Sequence, residues 1–228
     1  RRSSDLTSSS ANIVPSYLQS ELYQTTSGYG LAIWRQANMA RMIAIMQAMC
    51  TQFDSDPALE MIRMPNELGP AMNVPTKPAD YNTTDLAARF SDFYAAAKQA
   101  CPHTITAAIA NNLSGKLGGV IENAYQTGVG FGTPDCFDDA GHVLFRGGTA
   151  AGETGVRDYR GLMSHYCDAS LPVLGGKDDN GPPANIITWA QTNKVTHLPW
   201  NPNGTGINSW SASKTAIQAN PTLWTVCP

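Results

Sequence analysis

Five short apolar runs, four of them followed by a helical stretch and all five ending in an amide or a carboxylate, constrain this chain more than any other feature. The runs cover residues 59–64, 104–110, 128–132, 162–168 and 195–200. The helical patterns fall at 85–100, 115–126, 183–193 and 210–220, and a further one, 34–53, precedes the first run. Strands alternating with helices imply right-handed crossovers and a parallel sheet. The runs lead into Asn66-Glu67, Asn111-Asn112, Asp135, Asp168 and Asn201. Polar groups at strand carboxyl ends fit a closed barrel and an open doubly wound sheet alike. No Gly-x-Gly-x-x-Gly follows any run and the polar ends are evenly spread, so the expectation is an α/β chain of the (β/α)8 TIM-barrel type.

Residues 34–53 contain no glycine or proline and repeat apolar side chains at Met39, Met42, Ile43, Ile45, Met46 and Met49. That spacing predicts a helix with a broad buried face. Its methionines read as core packing and not as a metal site or adaptable groove. Pro57 ends it, because the residue before a proline is pushed out of helical geometry. Thr84-Asp85 marks the start of the next helix, with Leu86, Phe90, Phe93, Tyr94 and Ala97 facing inward. Residues 1–30 are expected to be a tail or linker, and 31–228 the barrel portion.

The charged share is only 14%, well under the usual quarter, and Ser, Thr, Asn and Gly take its place. Such a surface is commoner outside the cell. The net charge of −3 gives no electrostatic reason to expect nucleic acid or an anionic membrane as partner. No run approaches the roughly 18 apolar residues of a spanning helix. Cys50, Cys101, Cys136, Cys167 and Cys227 show no Cys-x-x-Cys spacing, which argues against zinc. Cys50 in its apolar helix reads as a buried thiol; Cys136 with Cys167 could bridge, and Cys101 and Cys227 are further candidates. No cofactor or metal is expected, since His-x-His and His-Glu-x-x-His are both missing.

An ordered set of segments carries a resemblance. It comprises Ile33-Trp34, Phe53-Asp54-Ser55-Asp56-Pro57, Pro65-Asn66-Glu67, Gly132-Thr133-Pro134-Asp135, Asp158-Tyr159-Arg160-Gly161, Leu174-Gly175-Gly176-Lys177 and Thr196-His197-Leu198-Pro199-Trp200. Together they resemble bacterial and phage-borne barrel proteins related to clan A glycoside hydrolases, over about residues 30 to 224. The resemblance implies that the five runs are barrel strands four to eight. Strands one to three would then lie upstream of Arg1 or on a partner chain that completes the barrel.

It also implies a polysaccharide or glycan as partner and an extracellular or virion-associated location. Asn66-Glu67 matches the pair closing strand four in those hydrolases, where the Glu is the acid/base and the Asn holds the neighbouring substrate hydroxyl. Glycoside cleavage needs a carboxylic acid that protonates the leaving oxygen and then activates water. Without its context, Asn-Glu is a common dipeptide and Glu67 a solvated loop residue. The retaining mechanism needs a second carboxylate about 5 Å away. Here the chain departs from the family: Cys167 stands where relatives carry Glu, and Asp168 beside it points to the other side of a regular strand.

Glu67 and Asp168 are therefore the catalytic candidates, and Asn66, Asn111, Asp135, His197 and Trp200 the substrate-binding ones. Trp200 would stack on a sugar ring or simply fill the barrel mouth. His197, alone in an apolar run, suits a hydrogen-bonded core position better than catalysis. Asp158 and Arg160 suit a structural salt link. Two functions follow: a glycoside-hydrolase-like protein with a degenerate catalytic pair, or a non-catalytic structural or glycan-binding component of an extracellular or virion assembly.

Overall fold

The chain begins with a small antiparallel sheet. In the computed structural model, residues 7–8, 15–25, 28–59, 61–63, 76–109, 113, 115–133, 148–150, 153–162, 165–167, 182–198, 200 and 209–220 are described. Strands β1 (Thr7–Ser8), β2 (Leu22–Thr25) and β3 (Gly28–Leu31) pair in the order β1-β3-β2. A short 3-10 segment, Ser16–Glu21, leads into β2. Tyr23 lies opposite Gly30, and a Cβ at position 30 would come within 2.6 Å of its ring. Only glycine lets the ring lie this close to the backbone. Apart from Leu31, these strands fall within the 30 residues expected to be a tail or linker.

Next come α1 (Gln36–Phe53), β4 (Met61–Arg63), α2 (Thr83–Ala100), β5 (Ile105–Ile109), α3 (Leu117–Gln126) and β6 (Gly130–Thr133). A hairpin of β7 (Gly148–Ala150) and β8 (Glu153–Val156) precedes β9 (His165–Cys167). The sequence gives no signal for it beyond a Gly- and Asp-rich insertion. Helices α4 (Pro183–Thr192) and α5 (Trp210–Gln218) follow and pack on each other.

Strands β4, β5, β6 and β9 form one parallel sheet in chain order. Four of the five apolar runs are thus parallel neighbours, as their spacing predicts. The core lies between this sheet and the row α1, α2 and α3, where Leu86, Phe90, Tyr94, Ile121, Val129 and Phe131 are all buried. The five side chains expected to face inward on α2 all do so.

The barrel itself is overturned. The parallel sheet has four strands, with β4 and β9 at its two margins among the described residues, and a separate antiparallel sheet precedes it. The barrel reading fails because strand-helix units with polar strand ends build an open sheet equally well.

Among the described residues, the fifth run, 195–200, forms no strand of the sheet, and His197 and Trp200 make only isolated bridges. Its apolar residues have another use. At the end of α4, Val195 N–H donates to Ala190 C=O at 2.8 Å and Lys194 N–H to Gln191 C=O at 3.1 Å, with Lys194 at φ 53°. This is the Schellman arrangement, in which the residue after the left-handed position packs back on the helix. Val195, Leu198 and Trp200 accordingly pack with Ile186, Trp189 and Ala190. Helix α3 ends the same way with Gly128 at φ 74°, where Val129 N–H donates to Ala124 C=O at 2.8 Å.

Two further expectations are corrected. Cys50 is not a buried thiol but forms a disulfide with Cys101, tying the last turn of α1 to the residue after α2. The face of α1 is narrower than its periodicity suggests. Met39 and Met46 are buried and Met42 and Ile43 half-buried, but Ile45 is 64% exposed and Met49 49% exposed.

Candidate functional site

The parallel sheet presents four adjacent carboxyl ends. The register pairs Arg63 with Ala107, Ile109 with Gly132, and Thr133 with Cys167, so neighbouring ends are offset by no more than a few residues. Asn66 and Glu67 follow the last residue of β4 by three and four positions in the sequence. Asn111 comes two after β5, Asp135 two after β6 and Asp168 one after β9. These five residues lie outside the described residues.

His197 and Trp200 are described, and they are not on a strand of the sheet. Each is half-buried. His197 Nδ1 shares a hydrogen bond of 2.8 Å with the Thr196 hydroxyl. The Trp200 ring belongs to the α4 cluster, and its Nε1 is buried with no hydrogen-bond partner among the described residues. The indole packs with Ile186, Trp189 and Ala190 of α4.

Two polar networks were not legible in the sequence, because their members lie far apart along the chain. In the first, Arg35 reaches Glu21 at 2.8 Å and Asp80 at 2.7 Å. Trp34 Nε1 donates to the same Asp80 oxygen at 3.2 Å, and Asn38 Nδ2 donates to Glu21 at 3.0 Å. Tyr23 and Tyr81 flank the Trp34 ring at 5.1 and 5.3 Å. The Arg35 guanidinium, then Asn38, hold the Glu21 carboxyl below its ordinary value; Arg35 and then Trp34 do the same for Asp80. Burial, and secondarily Tyr81, pushes the Tyr23 phenol up to about 12. This network pins the antiparallel sheet to the start of α1 and the approach to α2.

The second network fixes the segment before β9. Tyr159 is buried and donates its hydroxyl to Glu122 on α3, while Gln126 donates to the other Glu122 oxygen at 2.7 Å. Arg157 pairs with Glu122 at 3.2 Å and lies over the Tyr125 ring at 5.2 Å. Hydrogen bonds from Tyr159, then Gln126, keep the Glu122 carboxyl below its usual value. Beside it Arg160 grips Asp158 at 2.6 Å, the salt link that the sequence suggested.

Both networks are satisfied internally: opposite charges face each other, and each carboxylate is held ionised. A general acid needs the reverse, a carboxyl raised toward neutrality. These networks therefore hold the fold and are poor candidates for chemistry. No group of three or more His, Cys, Asp and Glu able to hold a metal ion occurs among the described residues. No helix among them is long and apolar enough to cross a membrane. Compared with known proteins, the chain matches no family model and no curated relative.

Proposed function

We propose that this chain is a glycan-binding α/β protein of an extracellular or virion assembly, holding its polysaccharide at the carboxyl edge of the parallel sheet. One observation carries the reading: four adjacent parallel strands lead, within one to four residues, to Asn66-Glu67, Asn111, Asp135 and Asp168. Open parallel sheets bind ligands outside their carboxyl ends. Amides and carboxylates are the groups that exchange hydrogen bonds with sugar hydroxyls. The Cys50–Cys101 disulfide supports an oxidising compartment, and the sparse charge suits a surface outside the cell.

Turnover is not part of the proposal. The resemblance pairs Glu67 with a carboxylate on barrel strand seven, where this chain carries Cys167. Binding requires only donors and acceptors at one edge, whereas hydrolysis requires two carboxyls at a fixed separation.

The test is a panel of soluble polysaccharides titrated against the wild type, Asn111→Ala, Asp135→Asn and Glu67→Gln, with reducing-end release measured in parallel. At least one glycan should bind without release, and Asn111→Ala should weaken it about tenfold, the loss of one or two hydrogen bonds. Retention of no glycan refutes the proposal. Release that Glu67→Gln abolishes would replace it with the hydrolase reading.

A further inference from the structure

We infer that Asn82 is a modification site, the acceptor of an N-linked glycan attached as the chain is exported. This goes beyond the polysaccharide reading and shares with it only the extracellular placement, which the Cys50–Cys101 disulfide supports on its own. Asn82-Thr83-Thr84 spells the acceptor triplet: asparagine, any residue but proline, then serine or threonine. Such triplets also arise by chance, so the geometry of this one decides whether it can be used.

Asn82 stands in extended backbone, at φ −139° and ψ 123°, immediately before α2. Asn82, Thr84 and Asp85 are all exposed. The side-chain amide is turned one way. Its Oδ1 accepts the Thr84 N–H at 2.8 Å and the Asp85 N–H at 3.4 Å. Oxygen and nitrogen share one carbon, so holding the oxygen on the helix turns the nitrogen away from it. Nδ2, the atom that takes a glycan, has no partner among the described residues. Cap and glycan therefore use different atoms of one side chain. Capping alone is served as well by serine, threonine or aspartate, and asks nothing of residue 84 but its backbone N–H.

In the transfer, Nδ2 bonds to the anomeric carbon of a saccharide carried on a lipid diphosphate. The bond from that carbon to the phosphate oxygen breaks, its electron pair leaves with the lipid diphosphate, and one amide proton is released. The amide carbonyl is untouched, so the glycosylated side chain still caps α2.

The test exports the 228-residue chain from a secretory host that attaches N-linked glycans and weighs the peptide containing Asn82. In the wild type that peptide should carry a glycan, and enzymatic cleavage of the glycan–asparagine bond should leave aspartate there. Thr84→Ala keeps the N–H that Asn82 accepts, so it should lose the glycan while the helical circular dichroism stays native. Thr84→Ser should keep the glycan. A bare Asn82 on an exported chain whose Cys50–Cys101 disulfide has formed overturns the inference and leaves the extracellular placement standing. So does a glycan on Asn82 that survives Thr84→Ala.

Discussion

Helices α1 and α2 have the same length, eighteen residues, and lie against each other, yet they are finished differently. Helix α2 buries Leu86, Ala87, Phe90, Phe93, Tyr94 and Ala97, and its N-terminus is capped by Asn82. Asp85 in its first turn and Lys98 in its last each oppose the end charge of the helix dipole. Helix α1 buries Asn38, Met39, Met46 and Cys50, has no side-chain cap, and carries no acid in its first turn or base in its last. The difference teaches that α2 is specified by its own sequence, whereas α1 is held by what is attached to its ends. Arg35 ties its start to Glu21 and Asp80, and Cys50 ties its last turn to Cys101. Asp54, just past its end, accepts the Thr104 amide at 2.8 Å.

The largest expected effect breaks that attachment. Cysteines 50 and 101 are 51 residues apart, and closing a loop of that length removes unfolded-state entropy equivalent to about 4 kcal/mol. Cys50→Ser with Cys101→Ser should lower the unfolding free energy in urea by about that amount. Hydrogen exchange should speed up more in α1 than in α2. A loss under about 1 kcal/mol would mean that packing alone holds α1, and the contrast between the helices would collapse.

A smaller effect compares the two surfaces directly. Leu86 is fully buried, so Leu86→Ala should cost about 3 kcal/mol, the transfer loss together with a cavity. Ile45→Ala on the exposed face of α1 should stay within about 0.5 kcal/mol of wild type. Denaturation curves for the two variants at low micromolar concentration check both. An Ile45→Ala loss as large as that of Leu86→Ala would show that Ile45 belongs to the core.

These contrasts also explain what was legible in the sequence. Helix α2 was readable because its cap, its period and its burial agree. The four parallel strands were readable as apolar runs broken by Pro, Gly and Asn. Sheet closure was not, because the alternation of strand and helix is local and closure depends on how many strands pair and how they twist. The run 195–200 misleads for a related reason: a helix-capping valine and its apolar followers look like a strand when their partner is hidden. Periodicity likewise could not show that Ile45 and Met49 are left exposed. The Glu21–Arg35–Asp80 clamp spans 59 residues and has no spacing signature at all. Of the candidate site, sequence supplied the polar residues after each strand, while the packing of Trp200 with the α4 cluster has no spacing signal.

The smallest effect tests whether capping truly separates the two helices. The Asn82 side chain accepts from the Thr84 amide at 2.8 Å and the Asp85 amide at 3.4 Å, satisfying donors that the first turn cannot pair internally. Asn82 is exposed, so its replacement leaves no cavity, and the hydrogen bonds are the main thing lost. Asn82→Ala should therefore cost about 1 kcal/mol, and Asn82→Asp should recover it by restoring the acceptor next to the positive end of the helix. At Arg35, the equivalent position of α1, there is no cap to remove. Any loss in Arg35→Ala comes from its ion pairs and should shrink in high salt, whereas the Asn82→Ala loss should not. Parallel urea titrations of both variants at about 0.05 and 1 M salt make the distinction. Equal salt dependence in the two would show that Asn82 acts through charge and not as a cap, and that the helices begin more alike than their first turns suggest.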